Sequence, residues 1–172
     1  MKLFAIYVGG ELEGANIELH DMRFVAAPSL TETYDALRRQ WWGVPKSLHI
    51  DCWAVIDHAD GYDVALKPEP FLGPERLYYV NLGGYAPGEF LEKHMNVFVV
   101  ADSVPKAKAR ALASVRGWRE AHRDDMFEAE QAFAIGAAGS EHALHIHLTP
   151  GALVKELEFT CDYMPIRARS PR

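Results

Sequence analysis

The chain has 172 residues, a net charge of −6 and an ordinary hydrophobic share, so it can bury a core without staples. The acidic balance argues against a general phosphate-binding surface, and we expect neither nucleic acid nor a membrane as partner. Two cysteines far apart in sequence, Cys52 and Cys161, predict reduced thiols in a reducing compartment, and the lack of a long apolar segment predicts a cytoplasmic protein.

The first predicted elements are two strands separated by a loop that contains glycine. A short apolar run covers residues 3–8 and stops at Gly9-Gly10, and a second apolar run covers residues 22–27. The paired glycines predict a turn or bulge with positive φ. A phosphate-binding loop is the weaker interpretation, because the next element is a strand instead of a helix.

A helix and a hairpin follow. Ser29 and Glu32 have the spacing of a capping box, which predicts that a helix begins there. Its apolar stripe has helical spacing and consists of Leu30, Tyr34, Leu37 and Trp41. Residues 52–57 and 62–66 are then predicted to pair as a hairpin, with a turn at residues 58–61.

Residues 2–29 recur without a gap at residues 76–103, an offset of 74. Ten positions are identical, where ordinary residue usage predicts about two. In the first copy these are Leu3, Gly9, Gly10, Gly14, Glu18, His20, Phe24, Val25, Ala27 and Ser29. A second helix is predicted after Ser103, with Pro105 in its first turn and a stripe of Val104, Ala107, Ala111, Val115 and Trp118. The repetition indicates a tandem duplication.

The complete pattern predicts an α+β protein made of two duplicated β-β-α-β-β units. We expect mostly antiparallel sheet with helices on one face and a pseudo-two-fold between the halves, within one compact domain. Two further strands are predicted near residues 144–148 and 153–161. The predicted boundaries are 1–66 for the first repeat unit, 67–75 for a linker, 76–161 for the second unit and 162–172 for a flexible tail.

Histidines and carboxylates recur at spacings of two, which place their side chains on one face of an extended strand. Glu18 and His20 form one pair, and His49 and Asp51 form another, with Trp53 next on the same face. If the pairs converge, they offer a site for Zn²⁺, Mn²⁺ or Fe²⁺. The matching candidates of the second unit are Glu92, His94, His122 and Asp124. The alternative is that these groups are hydrogen-bonded scaffolding, and their duplication favours it.

His145 and His147 alternate on a predicted strand and are not duplicated. Both imidazoles would project to one side, as in a metal-chelating pair, with His142 or Glu141 as third ligand. The alternative is an exposed strand face that carries two histidines. The basic residues of the second helix are interpreted as a solvated face.

Three segments resemble the bacterial domain-of-unknown-function 1543 family: "VGGELEGANIELHDMRFVAA", "LGGYAPGEFLEKHMNVFVVA" and "LHIDCWAVIDHADGY". The Gly-Gly, Glu-x-His and His-x-Asp-x-Trp elements carry the resemblance. It implies a bacterial source and a fold built from one or two copies of this unit. It implies no reaction, because none is assigned to the family.

Two functional hypotheses remain open from sequence. The leading one is a non-enzymatic cytoplasmic protein that binds a small molecule or a protein partner, because no nucleophile motif is present. The alternative is a metal-dependent enzyme of hydrolase or isomerase type that uses the His, Asp and Glu clusters. Both hypotheses allow a homo-oligomer.

Overall fold

The computed structural model describes residues 1–130, 144–151 and 155–167. The described residues form mostly antiparallel strands with two short helices, in keeping with an α+β class. The strands are β1 (Lys2–Gly10), β2 (Leu19–Ala27), β3 (His49–Val55), β4 (His58–Ala59), β5 (Tyr62–Lys67), β6 (Arg76–Tyr85), β7 (Lys93–Ala101), β8 (Arg119–Glu128), β9 (His145–Pro150) and β10 (Thr160–Pro165). The helices are α1 (Tyr34–Gln40), preceded by a 3-10 turn at Leu30–Thr33, and α2 (Val104–Ser114). In this described part of the chain, neither helix has the length and apolar character needed to cross a membrane.

The described chain consists of two compact units. The first contains residues 1–57 and 157–167, and the second contains residues 58–130, 144–151 and 155–156. The second unit is therefore inserted between two parts of the first along the sequence. These spatial units differ from the repeat units predicted from sequence, because β10 pairs with β3 and β5 pairs with β9.

The first unit is a four-stranded antiparallel sheet in the order β10-β3-β1-β2. Helix α1 covers one face, where the buried side chains include Ile6, Ile50 and Leu37. The predicted stripe of this helix is confirmed, since Leu37 is buried and Leu30, Tyr34 and Trp41 pack against the same core. The apolar run of β1 is therefore the centre of a sheet.

The second unit contains a sheet of order β7-β6-β8 and a small sheet of order β4-β5-β9. Strands β6 and β7 pair in the register of β1 and β2 moved along by 74 residues, so that Gly83 lies opposite His94 as Gly9 lies opposite His20. Helix α2 covers the core of β6 and β7 with Ala107 and Ala111.

The predicted hairpin between residues 52–57 and 62–66 is wrong in its pairing. Strand β3 pairs with β1 and β10, and β5 instead pairs with the two-residue strand β4 and with β9. The turn lies at Asp60-Gly61, where φ is 52° and 83°. Two successive positive φ values suit a tight two-residue turn, and the strand before it, β4, is two residues long.

The predicted caps and one stripe position also differ from the structure. Neither Ser29 nor Ser103 caps a backbone N–H; the Ser29 hydroxyl donates to the Glu32 carboxylate and the Ser103 hydroxyl to Asp102. Val104 is 49% exposed, because it is the first residue of α2 and lies before the part that contacts the sheet.

The prediction of reduced thiols is wrong. Cys52 and Cys161 are opposite residues of β3 and β10, with a Cα–Cα distance of 4.1 Å, and they form a disulfide. They are separated by 109 residues, which sequence spacing alone does not connect. The disulfide removes the argument for a reducing compartment that rested on these residues.

The C-terminal predictions shift by several residues. The strand predicted at residues 144–148 is β9, whereas the one predicted at 153–161 is β10 and begins only at Thr160. The predicted flexible tail is structured in its described part, because β10 continues to Pro165 and Ile166 is buried. The Ile166 amide donates to the Leu48 carbonyl. Residues 168–172 lie outside the described residues.

Candidate metal centre

A glycine in the middle of each main sheet lies between two histidines. In the first unit, Gly9 of β1 is opposite His20 of β2 on one side and opposite His49 of β3 on the other. A Cβ atom built on Gly9 would lie 2.5 Å from Nε2 of His49 and 2.9 Å from Oδ2 of Asp51. The missing side chain therefore leaves the space into which these groups converge.

This position corrects the predicted role of the glycine pairs. Gly9 and Gly83 are strand residues, and the glycines with positive φ in the described chain are Gly14, Gly61, Gly88 and Gly117. The repeated Gly-Gly pairs do mark a structural requirement, but that requirement is the close approach of neighbouring side chains and not a turn.

A β-bulge brings Asp51 into the same space. The pairing of β1 with β3 runs Tyr7 to Cys52 and then Val8 to Ile50, which leaves Asp51 without an opposite residue. Bulges of this kind redirect a side chain, and they recur beside functional sites. A bulge at the equivalent position of the second unit leaves Asp124 without an opposite residue on β6.

We name Glu18, His20, His49 and Asp51 the first cluster. Nε2 of His49 lies 3.2 Å from Oε1 of Glu18 and 3.4 Å from Oδ1 of Asp51. Nε2 of His20 lies 3.2 Å from Oδ2 of Asp51. Ligand atoms of Glu18, His20 and His49 lie within 4.8 Å of one another, a spacing that one metal ion can bridge. The structure thus brings together the two pairs that the sequence placed on separate strands.

The hydrogen bonds of His49 show which ring nitrogen carries the proton. Its Nδ1 lies 2.8 Å from the backbone carbonyl of Ser47, and a carbonyl oxygen only accepts, so Nδ1 is the donor. In the neutral ring, Nε2 is then a bare lone pair that faces two carboxylates. Such an arrangement is repulsive unless a cation, either a proton or a metal ion, lies between them.

The burial of the cluster strengthens the need for a cation between Nε2 of His49 and the carboxylates. The His49 side chain is only 4% exposed, while that of Glu18 is 44% exposed. Oδ2 of Asp51 is buried and, in the part of the chain that the structure describes, accepts no hydrogen bond of good geometry, although Nε2 of His20 lies 3.2 Å away. With both histidines neutral the cluster carries two negative charges, which a divalent cation would balance.

Two tyrosines that the sequence analysis did not single out flank the first cluster. The Tyr7 ring stacks on His20 at 5.2 Å between centroids, and the Tyr163 ring packs on His49 at 4.6 Å. Burial, and then the negative charge of Asp51, raises the pKa of Tyr7, so its hydroxyl remains protonated at neutral pH. No sequence pattern pointed to either residue. The position that corresponds to Tyr7 in the repeat is Asn81, and Tyr163 lies in the predicted tail.

We name Glu92, His94, His122 and Asp124 the second cluster. Nε2 of His122 lies 2.9 Å from Oδ1 of Asp124 and 3.3 Å from Oε1 of Glu92, and Nδ1 of His94 lies 3.0 Å from Oδ2 of Asp124. The Nδ1 of His122 bonds the backbone carbonyl two residues before it, as in His49. That bond is the main cause of the raised pKa of His122, and burial, the next largest effect, opposes it. The charges of Asp124 and Glu92 and a hydrogen bond to Asp124 raise the pKa further.

The remaining candidates lie elsewhere. Trp53 packs against the core beside Ile50 and not against the cluster, because the bulge at Asp51 reverses the alternation of β3. His145 pairs with the Glu130 carboxylate at 2.9 Å, and His147 bonds the Glu69 carbonyl at 2.7 Å. In the described chain neither belongs to a group of three metal-ligating side chains. Their suggested third ligands, residues 141 and 142, lie outside the described residues.

Comparison with known proteins agrees with the resemblance noted above. The profile of the family described as "Domain of Unknown Function (DUF1543)" matches residues 15–66. The chain is also similar to the crystal structure of a protein Il1583 from Idiomarina loihiensis, with 35% sequence identity, coverage of 96% of this chain and 97% of that one, and a TM-score of 0.66. The match to the DUF1543 family thus covers residues 15–66, about a third of the chain. No curated protein matches it.

The family match and the site overlap. The matched residues 15–66 include every member of the first cluster, from Glu18 to Asp51. Neither the family nor the Idiomarina protein brings a known activity with it, so the function must be argued from the geometry of the side chains.

Proposed function

We propose that the first cluster binds one divalent transition-metal ion, Zn²⁺, Mn²⁺ or Fe²⁺. The observation that carries the proposal is the buried Nε2 lone pair of His49, directed at carboxylates while Nδ1 is committed to the Ser47 carbonyl. Metal-ligating histidines ordinarily donate their second ring nitrogen to such a carbonyl, which fixes the tautomer for coordination. The site residues fit a metal ion in type, charge and spacing.

The donor set supports a borderline metal. Two imidazoles with one or two carboxylates suit Zn²⁺, Mn²⁺ and Fe²⁺, whereas Mg²⁺ and Ca²⁺ prefer oxygen ligands alone. His20, His49 and Glu18 would be the direct ligands, and Asp51 would ligate or orient His20. Gly9 supplies the room between them.

The competing explanation is that a proton fills the same role. An imidazolium at His49 would form ion pairs with Glu18 and Asp51 and would act as scaffolding. Elemental analysis of protein purified without chelators or nickel affinity separates the two. We expect a stoichiometric transition metal, and a rise in melting temperature when Zn²⁺ or Mn²⁺ is added to stripped protein.

A matched pair of variants checks the assignment. His49→Gln should remove the metal from the first cluster, whereas His147→Gln, on a half-buried histidine outside both clusters, should leave it bound. Metal-free native protein that shows no thermal shift with either ion refutes the proposal. Metal loss in His147→Gln at the level of His49→Gln would move the site to β9.

The accessibility of the cluster favours a catalytic role over a structural one. Structural zinc sites have all four positions taken by protein, whereas catalytic sites keep a position open for water or substrate. Glu18 and His20 are solvent-accessible, so a bound ion could be reached by a small molecule. The second candidate function is therefore a metal-dependent enzyme of hydrolase or isomerase type.

A screen of hydrolase and isomerase substrates with metal-loaded protein tests this second candidate. Turnover that is lost in His49→Gln and retained in His147→Gln supports it. Bound metal without turnover supports the non-enzymatic alternative, in which the ion recruits a small molecule or an acidic group of a partner protein.

We also propose that the two repeats, which begin at residues 2–29 and 76–103, descend from a tandem duplication in a bacterial protein. Support comes from the repeated register of β1-β2 and β6-β7, and from the repeated bulge at Asp51 and Asp124. Bulges and glycines at equivalent positions are specific features that unrelated sheets rarely share.

A further inference from the structure

The second cluster repeats the architecture of the first around Gly83. A Cβ atom built on Gly83 would lie 2.5 Å from Oδ2 of Asp124, 2.9 Å from Oε1 of Glu92 and 2.9 Å from Nε2 of His122. Ligand atoms of Glu92, His122 and Asp124 lie within 4.8 Å of one another. We propose that this cluster is a second divalent-cation site, and that it favours harder, oxygen-preferring ions more than the first cluster does.

The two clusters contain the same four residue types, but they differ in which three residues place ligand atoms within 4.8 Å of one another. The compact group of the first cluster contains two imidazoles and one carboxylate, whereas that of the second contains one imidazole, from His122, and two carboxylates. His94 presents Nδ1 to Asp124 at 3.0 Å, which makes it a positioning residue for that carboxylate. Replacing an imidazole by a carboxylate shifts preference from Zn²⁺ towards Mn²⁺.

One buried oxygen atom is directed at the proposed cation. Oε1 of Glu92 is buried and accepts no hydrogen bond of good geometry from the described residues, although Nε2 of His122 lies 3.3 Å away. That Nε2 is a lone pair in the neutral ring, because Nδ1 donates to the Glu120 carbonyl. A cation between these atoms would satisfy both.

The second site is also less covered than the first. His122 is 45% exposed where His49 is 4% exposed. Strand β10 pairs with β3 and places the Tyr163 ring on His49, whereas β8 pairs with β6 alone among the described strands. An ion held by exposed ligands exchanges with solvent more readily. We therefore expect chelators to remove it first.

The experiment is a Mn²⁺ titration followed by electron paramagnetic resonance, which counts bound ions, on the full chain stripped of metal. The variants are Gly83→Ala, which fills the second site, and Gly9→Ala, which fills the first. Glu92→Gln keeps the shape of the second site and removes one charge, so it remains informative if Gly83→Ala does not fold. Circular dichroism of each stripped protein checks folding.

We expect two bound Mn²⁺ ions in the native protein and one in each glycine variant. The ratio of the Mn²⁺ and Zn²⁺ dissociation constants, measured by competition, should be at least about tenfold smaller in Gly9→Ala than in Gly83→Ala. EDTA should strip Gly9→Ala protein at least about tenfold faster. Glu92→Gln should weaken Mn²⁺ binding at the second site by about tenfold or more.

The outcomes separate this inference from the function proposed for the first cluster. A single native Mn²⁺ site that is lost in Gly9→Ala and unaffected in Gly83→Ala and Glu92→Gln overturns the second site alone. A single site lost in Gly83→Ala and kept in Gly9→Ala supports the second site and refutes the first. Equal metal preference at the two sites overturns the assignment of a harder ion to the second cluster.

Discussion

The most informative perturbation is one methyl group at Gly9. Ordinary contact begins at about 3.4 Å, and the new Cβ would lie 2.5 Å from Nε2 of His49, so that side chain must retreat by about 1 Å. A metal–imidazole bond is about 2.0–2.1 Å long. A retreat of about 1 Å breaks it. We therefore expect Gly9→Ala to lose the metal of the first cluster while the strand itself persists.

The expected size follows from the loss of a direct ligand. Mutations of groups that only orient a ligand cost about 10–100-fold in metal affinity, so displacing the ligand should cost at least about 100-fold. At a metal concentration of about 100 times the native dissociation constant, binding stabilises the native protein by about 2.7 kcal/mol. For a chain of this length, that corresponds to a melting-temperature rise of roughly 5–11 °C. In Gly9→Ala the first cluster's contribution to the rise should shrink to about 1 °C.

The assay is thermal unfolding of stripped protein with and without Zn²⁺. The difference between these two melting temperatures of the same variant excludes the other effects of the substitution, which are present in both measurements. Those effects are real, since overpacking costs about 1–3 kcal/mol and alanine in a strand regains up to about 1 kcal/mol over glycine. Gly83→Ala is the matched control, as it makes the same change beside the second cluster and should leave the first site intact. A native-sized Zn²⁺ shift in Gly9→Ala would refute the reasoning.

Three further changes probe the fold. Cys161→Ser should lower the unfolding free energy by roughly 2–5 kcal/mol, because the disulfide closes a loop of about 110 residues. Urea unfolding of the native protein with reductant should show the same loss. Identical unfolding curves with and without reductant would contradict this prediction. Leu37 of α1 is buried in the core, so Leu37→Ala should cost about 2–5 kcal/mol in the same assay. Val104→Ala on the surface should stay within about 0.5 kcal/mol, and equal losses in the two variants would contradict this placement of the core. Asp60→Ala should cost about 1–3 kcal/mol, since its carboxylate accepts hydrogen bonds from the Val100 amide and a guanidinium, and an Asp60→Asn variant should retain part of that amount.

Elements with strong periodicity were predictable from sequence. The apolar run of β1 and the helical stripe of α1 both depend on local spacing, and both occur as expected. The grouping of Glu18 with His49 could also be predicted from the sequence, because a spacing of two along a strand places the side chains of each His/carboxylate pair on one face. It required only that the strands be neighbours in one sheet.

Features that depend on pairing register were not predictable. The bulge at Asp51 turns Trp53 into the core, which alternation along one strand does not indicate. The role of Gly9 depends on which residues lie opposite it on two other strands. The hairpin failed for a related reason, because the turn at Asp60-Gly61 was recognised while the partner of β5 lies about 85 residues later, in β9.

The disulfide has a consequence for how the chain responds to cutting. In the described residues, the first unit is assembled from two stretches of sequence with the second unit between them, and Cys52 and Cys161 each belong to one stretch. A protease that cuts anywhere between these residues leaves both stretches covalently joined. Nicked protein would therefore migrate as one species on a non-reducing gel and separate into fragments only after a thiol is added. The Tyr163 ring, which packs on His49, would then stay on the same molecule as the first cluster even after the polypeptide is severed.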